Sequence, residues 1–246
     1  MMTTETAELA SLEMTSDAVQ SQPAFTRPKR LRAFDLLLVM AVAFAPLIFS
    51  STCAYFLRSP MEFSRWSVAS LVLHESIALG VLAYVLLQQR RTLRDIGLQF
   101  KFSDLGSGIL LAIGGMLASL LAQGAAYTAQ PGGVTTSQSA TADPASLGQL
   151  GLIAVFFVVL NPVFEELLVR GYFMSEVSFL TSRRWIPPVA STLLQGSYHL
   201  YQGIPSAIGV TACFLLWALY FKETRRLLPI ILAHFLGDAY ALFRST

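Results

Sequence analysis

The chain has 246 residues, of which 54% are hydrophobic and only 13% charged, with a mean hydropathy of +0.57. Soluble domains carry about 25% charge, so this balance excludes an ordinary soluble domain and implies an integral membrane protein. A net charge of +2 is too small to imply a nucleic-acid partner, and Cys53 and Cys213 lie in apolar runs without C-x-x-C spacing, as small apolar residues rather than a disulfide. The sequence contains no internal repeat and no G-x-G-x-x-G or P-loop pattern.

Residues 1–33 carry four acids (Glu5, Glu8, Glu13 and Asp17), then Arg27, Lys29, Arg30 and Arg32. The extreme N-terminus lacks basic charge and the first apolar run starts too late for a signal peptide. A disordered cytoplasmic tail is expected there. Residues 34–246 are expected to form an all-α, polytopic membrane helix bundle. A transmembrane helix needs about 20 mostly apolar residues, which places spans near 34–57, 67–88, 105–125, 148–180, 187–203, 204–222 and 228–243. That makes about seven transmembrane helices, the fifth and seventh of them short.

Thirteen of the 17 Lys and Arg residues fall in the tail and in alternate loops, at 27–32, 90–101, 183–184 and 222–226. The positive-inside rule then puts the N-terminus in the cytoplasm and the long loop at 128–146 outside. The segment 90–102, containing L-R-D-I-G-L, reads either as an interfacial segment or as a plain basic loop. In the second span His74 and Glu75 begin an H-E-x-x-H pattern, but position 78 is Ala, so a zinc-protease motif is rejected. The favoured reading of that pair is structural, hydrogen-bonded to another helix.

Three intramembrane clusters carry the chemistry, because a charge at the bilayer centre costs several kcal/mol, roughly 2.5–3.5 on insertion scales. The first is N-P-V-F-E-E-L-L-V-R-G-Y, Asn161 to Tyr172. Glu166 and Arg170 are four apart and face one side of a helix, so they can pair. Glu165 points about 100° away, free of that pairing, and is the candidate general base. Asn161 lies one turn before it on the same face. The second cluster is His199, with Gln195 one turn earlier and able to orient its imidazole. The third is His234 and Asp238, whose i, i+4 spacing lets the carboxylate fix the His tautomer or lets both residues bind a metal. The structural alternative for each cluster is an interhelical polar network.

Depth decides whether the clusters meet. His199 lies about 18 Å from the cytoplasmic end of its helix, and His234 and Asp238 about 8–15 Å from theirs. Glu165 joins them only if its helix continues to about Leu180, which makes a long span and predicts a kink near Pro162 or a tilt.

The order E-E-x-x-x-R, then a His in the next span, then H-x-x-x-D in the last, resembles the CAAX-protease and bacteriocin-processing family of intramembrane proteases. The likeness covers 148–243. It implies an endopeptidase in which Glu165 activates water with His199 assisting, while Glu166 and Arg170 support the geometry. His234 and Asp238 would stabilise the oxyanion. The family's second motif usually reads F-x-x-x-H, and Gln195 stands at its first position here. Two routes stay open: Zn²⁺ held by Glu165, His199 and His234, or a metal-free mechanism using Glu165 and His199.

The resulting expectation is cleavage of a peptide or membrane-protein substrate, prenylated or not, near the cytoplasmic leaflet. The setting expected is a bacterial cytoplasmic membrane, with lipids and no nucleic acid as partners. Water for hydrolysis implies a polar cavity among the motif helices. The competing expectations are a non-catalytic immunity factor or scaffold and, behind it, a transporter, against which the lack of internal repeats counts.

Overall fold

The computed structural model of the chain describes residues 27–58, 64–129 and 151–244. Every regular element within them is helical. Most of the expected tail and the expected external loop lie outside the described residues.

Helix α1, Lys29–Leu57, starts directly after Pro28, so the last basic residues assigned to the tail already belong to a helix. It ends at Arg58 in the left-handed region. Helix α2, Arg65–Gln88, is capped by Ser64, whose hydroxyl accepts from the Ser67 amide at 3.2 Å. The segment after it is mostly exposed and holds one short turn. A 3₁₀ turn at Leu93–Ile96 is closed by a reciprocal Thr92–Asp95 cap, and Ile96 is fully buried. Gly97 follows at φ +101, where a side chain would meet the Arg225 carbonyl and Phe221.

Helix α3 is Ser103–Thr128, and α4 is Leu152–Glu165. The chain then runs through a π-helical segment, Glu166–Phe173, into α5, Met174–Leu180. Together these make one 29-residue apolar rod, Leu152–Leu180, of the length that the depth argument required. Helix α6, Ile186–Ser197, opens with Pro187 and Pro188 in its first turn. Helix α7 is Ile204–Thr224 and α8 is Leu228–Arg244.

Among the described residues five helices are long and apolar enough to cross a membrane: Lys29–Leu57, Arg65–Gln88, Ser103–Thr128, Leu152–Leu180 and Ile204–Thr224. The fifth expected span is the exception that matters for function. Helix α6 has 12 residues, about 18 Å of rise, and stops before His199, which caps a 3₁₀ turn at Leu200–Gln202. The expected helical placement of His199 is thus corrected.

Helices α3, α7 and α8 pack closely through small residues, as membrane helices without a hydrophobic driving force must. At Gly115 of α3 a Cβ would stand 2.6 Å from Cys213 Sγ of α7, and Trp217 Nε1 donates to the Leu111 carbonyl at 3.1 Å. At one end of the bundle the four basic segments come together. Glu176, fully buried, accepts two bonds from Arg32 at 2.7 and 2.8 Å and pairs with Arg91. Arg226 pairs with Asp104, Arg225 donates to Ser175 Oγ at 2.7 Å, and Lys222 lies over the Trp185 ring.

Candidate active site

The site begins with a local departure from α-helical geometry. After Pro162, which lacks an N–H, the rod continues regularly to Glu165 and then widens into π-helical turns that carry Glu166 and Arg170. Such segments are rare and occur often at functional sites. Here the entire run from Phe164 to Tyr172 is buried. Both adjacent carboxylates therefore point into protein although they project from different sides of the rod.

Glu166 and Arg170 pair as the spacing predicts, Nη1 to Oε1 at 3.3 Å. Arg170 also donates from Nη2 to the Phe214 carbonyl at 3.2 Å, and its guanidinium sits over the Phe214 ring. The pairing is not exclusive, because His234 Nδ1 meets the same Glu166 Oε1 at 2.9 Å across 68 residues of sequence. The second oxygen, Oε2, is buried without a hydrogen-bond partner. His234 Nε2 faces Asp238 Oδ1 at 3.7 Å, and Asn161 Nδ2 donates to Asp238 Oδ2 at 3.2 Å. Asn161 thus joins the site by binding Asp238, one turn before Glu165.

Glu165 is buried but not unpartnered. Its Oε2 accepts from Gln195 Nε2 at 3.0 Å and from the Tyr198 hydroxyl at 2.7 Å. Gln195 meets the imidazole as expected, through its backbone carbonyl, which accepts from His199 Nδ1 at 2.9 Å, while its side chain holds Glu165. A carbonyl oxygen only accepts, so Nδ1 carries the proton and Nε2 keeps its lone pair. The imidazole is held by rings: Tyr198 at 4.8 Å, Phe214 at 5.2 Å and Tyr201 at 6.3 Å between centroids. It stands within electrostatic reach of Glu165, His234 and Asp238.

For a metal, the donor set differs from the expected one. Among the described residues Glu165, Glu166 and His234 offer ligand atoms all within 4.8 Å of one another. His199, expected in that set, is not among these three residues. Two carboxylates and an imidazole are suitable zinc donors, and the unpartnered Oε2 of Glu166 is a spare ligand atom.

Glu165, Glu166 and His234 are buried, and the Asp238 side chain beside them is 30% exposed. A concavity of about 640 Å³ lined by Arg183, Trp185, Val189 and Leu193 lies on the outer face of α6.

Two participants were missed by reading the sequence. Tyr198 is one; its only signal was its place beside His199. Glu75 is the other. His74 does bond another helix, Nε2 to the Ala43 carbonyl at 2.9 Å, as expected for a structural pair. Glu75, however, is 2% exposed and has a buried oxygen without a partner.

Residues 148–240 match the family model described as Type II CAAX prenyl endopeptidase Rce1-like. No curated protein and no solved structure matches the chain. The match falls on the three packed elements that hold the motifs, so it is over residues 148–240 that the chain is similar to the type II CAAX prenyl endopeptidases.

Proposed function

We propose that the chain hydrolyses a peptide bond within the membrane by a water that Glu165 activates. The observation that carries this reading is the bonding of Glu165. Tyr198 and Gln195 both donate to Oε2, which orients the carboxylate and leaves Oε1 to take a proton from water. The water oxygen adds to the carbonyl carbon of the scissile bond, and the oxyanion forms beside His234. Asp238 and Glu166 hold that imidazole from its two nitrogens. When the C–N bond breaks, Glu165 returns its proton to the departing amine. His199 assists through its unprotonated Nε2.

Glu165, Glu166 and His234 would hold Zn²⁺ in the alternative route, where the ion acts as a Lewis acid and lowers the pKa of water. The substrate is a peptide or membrane protein, and its prenylation is a matter for the same test. The gathering of the basic segments at one end supports a cytoplasmic placement of that end under the positive-inside rule.

The test combines metal analysis of purified protein with cleavage of a fluorogenic farnesylated C-a-a-X peptide and its unprenylated counterpart. Glu165→Ala is expected to lower kcat by at least about 100-fold, the usual worth of a general base. Full cleavage by folded Glu165→Ala would sink the hydrolysis reading. Tight peptide binding without cleavage by the wild type would point to a scaffold or immunity role instead.

A further inference from the structure

The segment that matches the family supplies the site carboxylates Glu165, Glu166 and Asp238, whereas the buried Glu75 lies outside it. Glu75 lies mid-helix in α2, a span with no other acidic residue. It is 2% exposed, and its Oε2 is buried without a hydrogen-bond partner. An ionisable side chain placed so within a membrane helix marks a function by default, because lipid and packing both select against it.

The register of α2 brings Glu75 to the site. His74, the preceding residue, donates to the Ala43 carbonyl and sets its ring edge-on to Phe164 at 6.2 Å between centroids. Phe164 directly precedes Glu165. Phe44, next to Ala43, packs on Phe164 at 5.6 Å and stacks on Tyr198 at 5.3 Å. Helix α2 is therefore locked, through α1, against the residue beside Glu165 and the residue that bonds Glu165. From that position Glu75 stands within electrostatic reach of Glu165, Asp238 and His234.

We propose that Glu75 is a positioning residue of the reaction, whose unpartnered oxygen binds a water that in turn aligns the attacking water on Glu165. The helix outside the family segment thereby completes the site. The proposal rests on the hydrolysis reading above.

Glu75→Leu removes a carboxylate with an unsatisfied oxygen and fills the space with an apolar group of similar size. Such replacements of buried polar groups are commonly neutral or stabilising, so a merely structural Glu75 predicts unchanged Tm and unchanged cleavage. The expected result for the full chain in lipid nanodiscs is a Tm at or above wild type and a kcat at least about tenfold lower. KM for the farnesylated peptide should stay within about threefold, and Glu75→Gln, which keeps a water-binding group, should recover part of kcat.

A Glu75→Leu kcat within about twofold of wild type overturns the proposal, as does loss of the fold in both variants. If wild type cleaves nothing, the hydrolysis reading fails by itself, and a thermal-stability cycle with Glu165→Gln decides for Glu75. Additive Tm shifts place Glu75 away from Glu165 and overturn the proposal, whereas non-additive shifts support its coupling to Glu165.

Discussion

Glu165 and Glu166 differ by one position and by their whole surroundings. Glu166 is saturated on one oxygen by Arg170 and His234, whereas Glu165 is held by two neutral donors, Gln195 and Tyr198. Neutral donors align a carboxylate without cancelling its charge, which suits a base; a guanidinium does cancel it, which suits a support. The two donors share one oxygen, so their effects on Glu165 are coupled. Tyr198→Phe removes a hydrogen bond to a charged group, worth about 1.5–3 kcal/mol, and is expected to lower kcat roughly ten- to hundredfold with little change in KM. Gln195→Leu should act in the same direction, and the double variant should lose less than the sum of the two. Steady-state kinetics of the three variants test this, and strict additivity would contradict the shared role.

Two short elements set the geometry that the long helices leave undetermined. The π-helical segment turns Glu166 and Arg170 into the protein beside Glu165, and the early stop of α6 lets His199 swing onto a 3₁₀ turn. A third, the Leu93–Ile96 turn, braces the basic end: the Leu227 amide donates to the Gly97 carbonyl at 3.0 Å, and Ile96 packs beside Gly171. Its cap is titratable. The Thr92 amide and hydroxyl donate to Asp95 at 2.6 and 2.8 Å and hold its carboxyl below the ordinary aspartate range. A folded value below the unfolded one stabilises the turn above the unfolded pKa, and that support is lost as pH falls through the folded value. Amide-exchange protection at Asp95 and Gly97 should therefore fall on acidification below about pH 4. Asp95→Asn should make that protection insensitive to pH over the same range.

At the scale of the molecule, many of the buried polar groups among the described residues fall into two clusters. One is the active-site cluster; the other is the basic end, where Glu176 ties α5 to Arg32 of α1 and to Arg91. Glu176 is fully buried while its partners keep 16–18% exposure, so the pairs are only partly screened. Removing the shared carboxylate leaves Arg32 and Arg91 without their ion-pair partner. Glu176→Leu is expected to destabilise the fold by about 1–3 kcal/mol, less than a fully buried pair would cost. The measurement is Tm in detergent or nanodiscs. Because the α4–α5 rod continues from Glu165 to Glu176, a lowered kcat below the new Tm would also show that this end sets the depth of the catalytic carboxylate.

Hydropathy and spacing reach a definite set of conclusions for this chain. Span lengths, the E-E-x-x-x-R pairing and the H-x-x-x-D face all depend on residues within one or two helical turns, where 1.5 Å rise and 3.6-residue periodicity leave little freedom. The need for a rod reaching Leu180 followed from the same arithmetic. What Gln195 and Tyr198 bond and which donors cluster for a metal depend on contacts between residues 30 to 68 positions apart. No periodicity encodes those contacts. Glu75 makes the point most sharply, since H-E in α2 read as a structural pair hydrogen-bonded to another helix. His74 bears that out, but its bond to α1 and its contact with Phe164 also set α2 against the residue that precedes Glu165, because packing between helices sets their relative register and a single helix cannot.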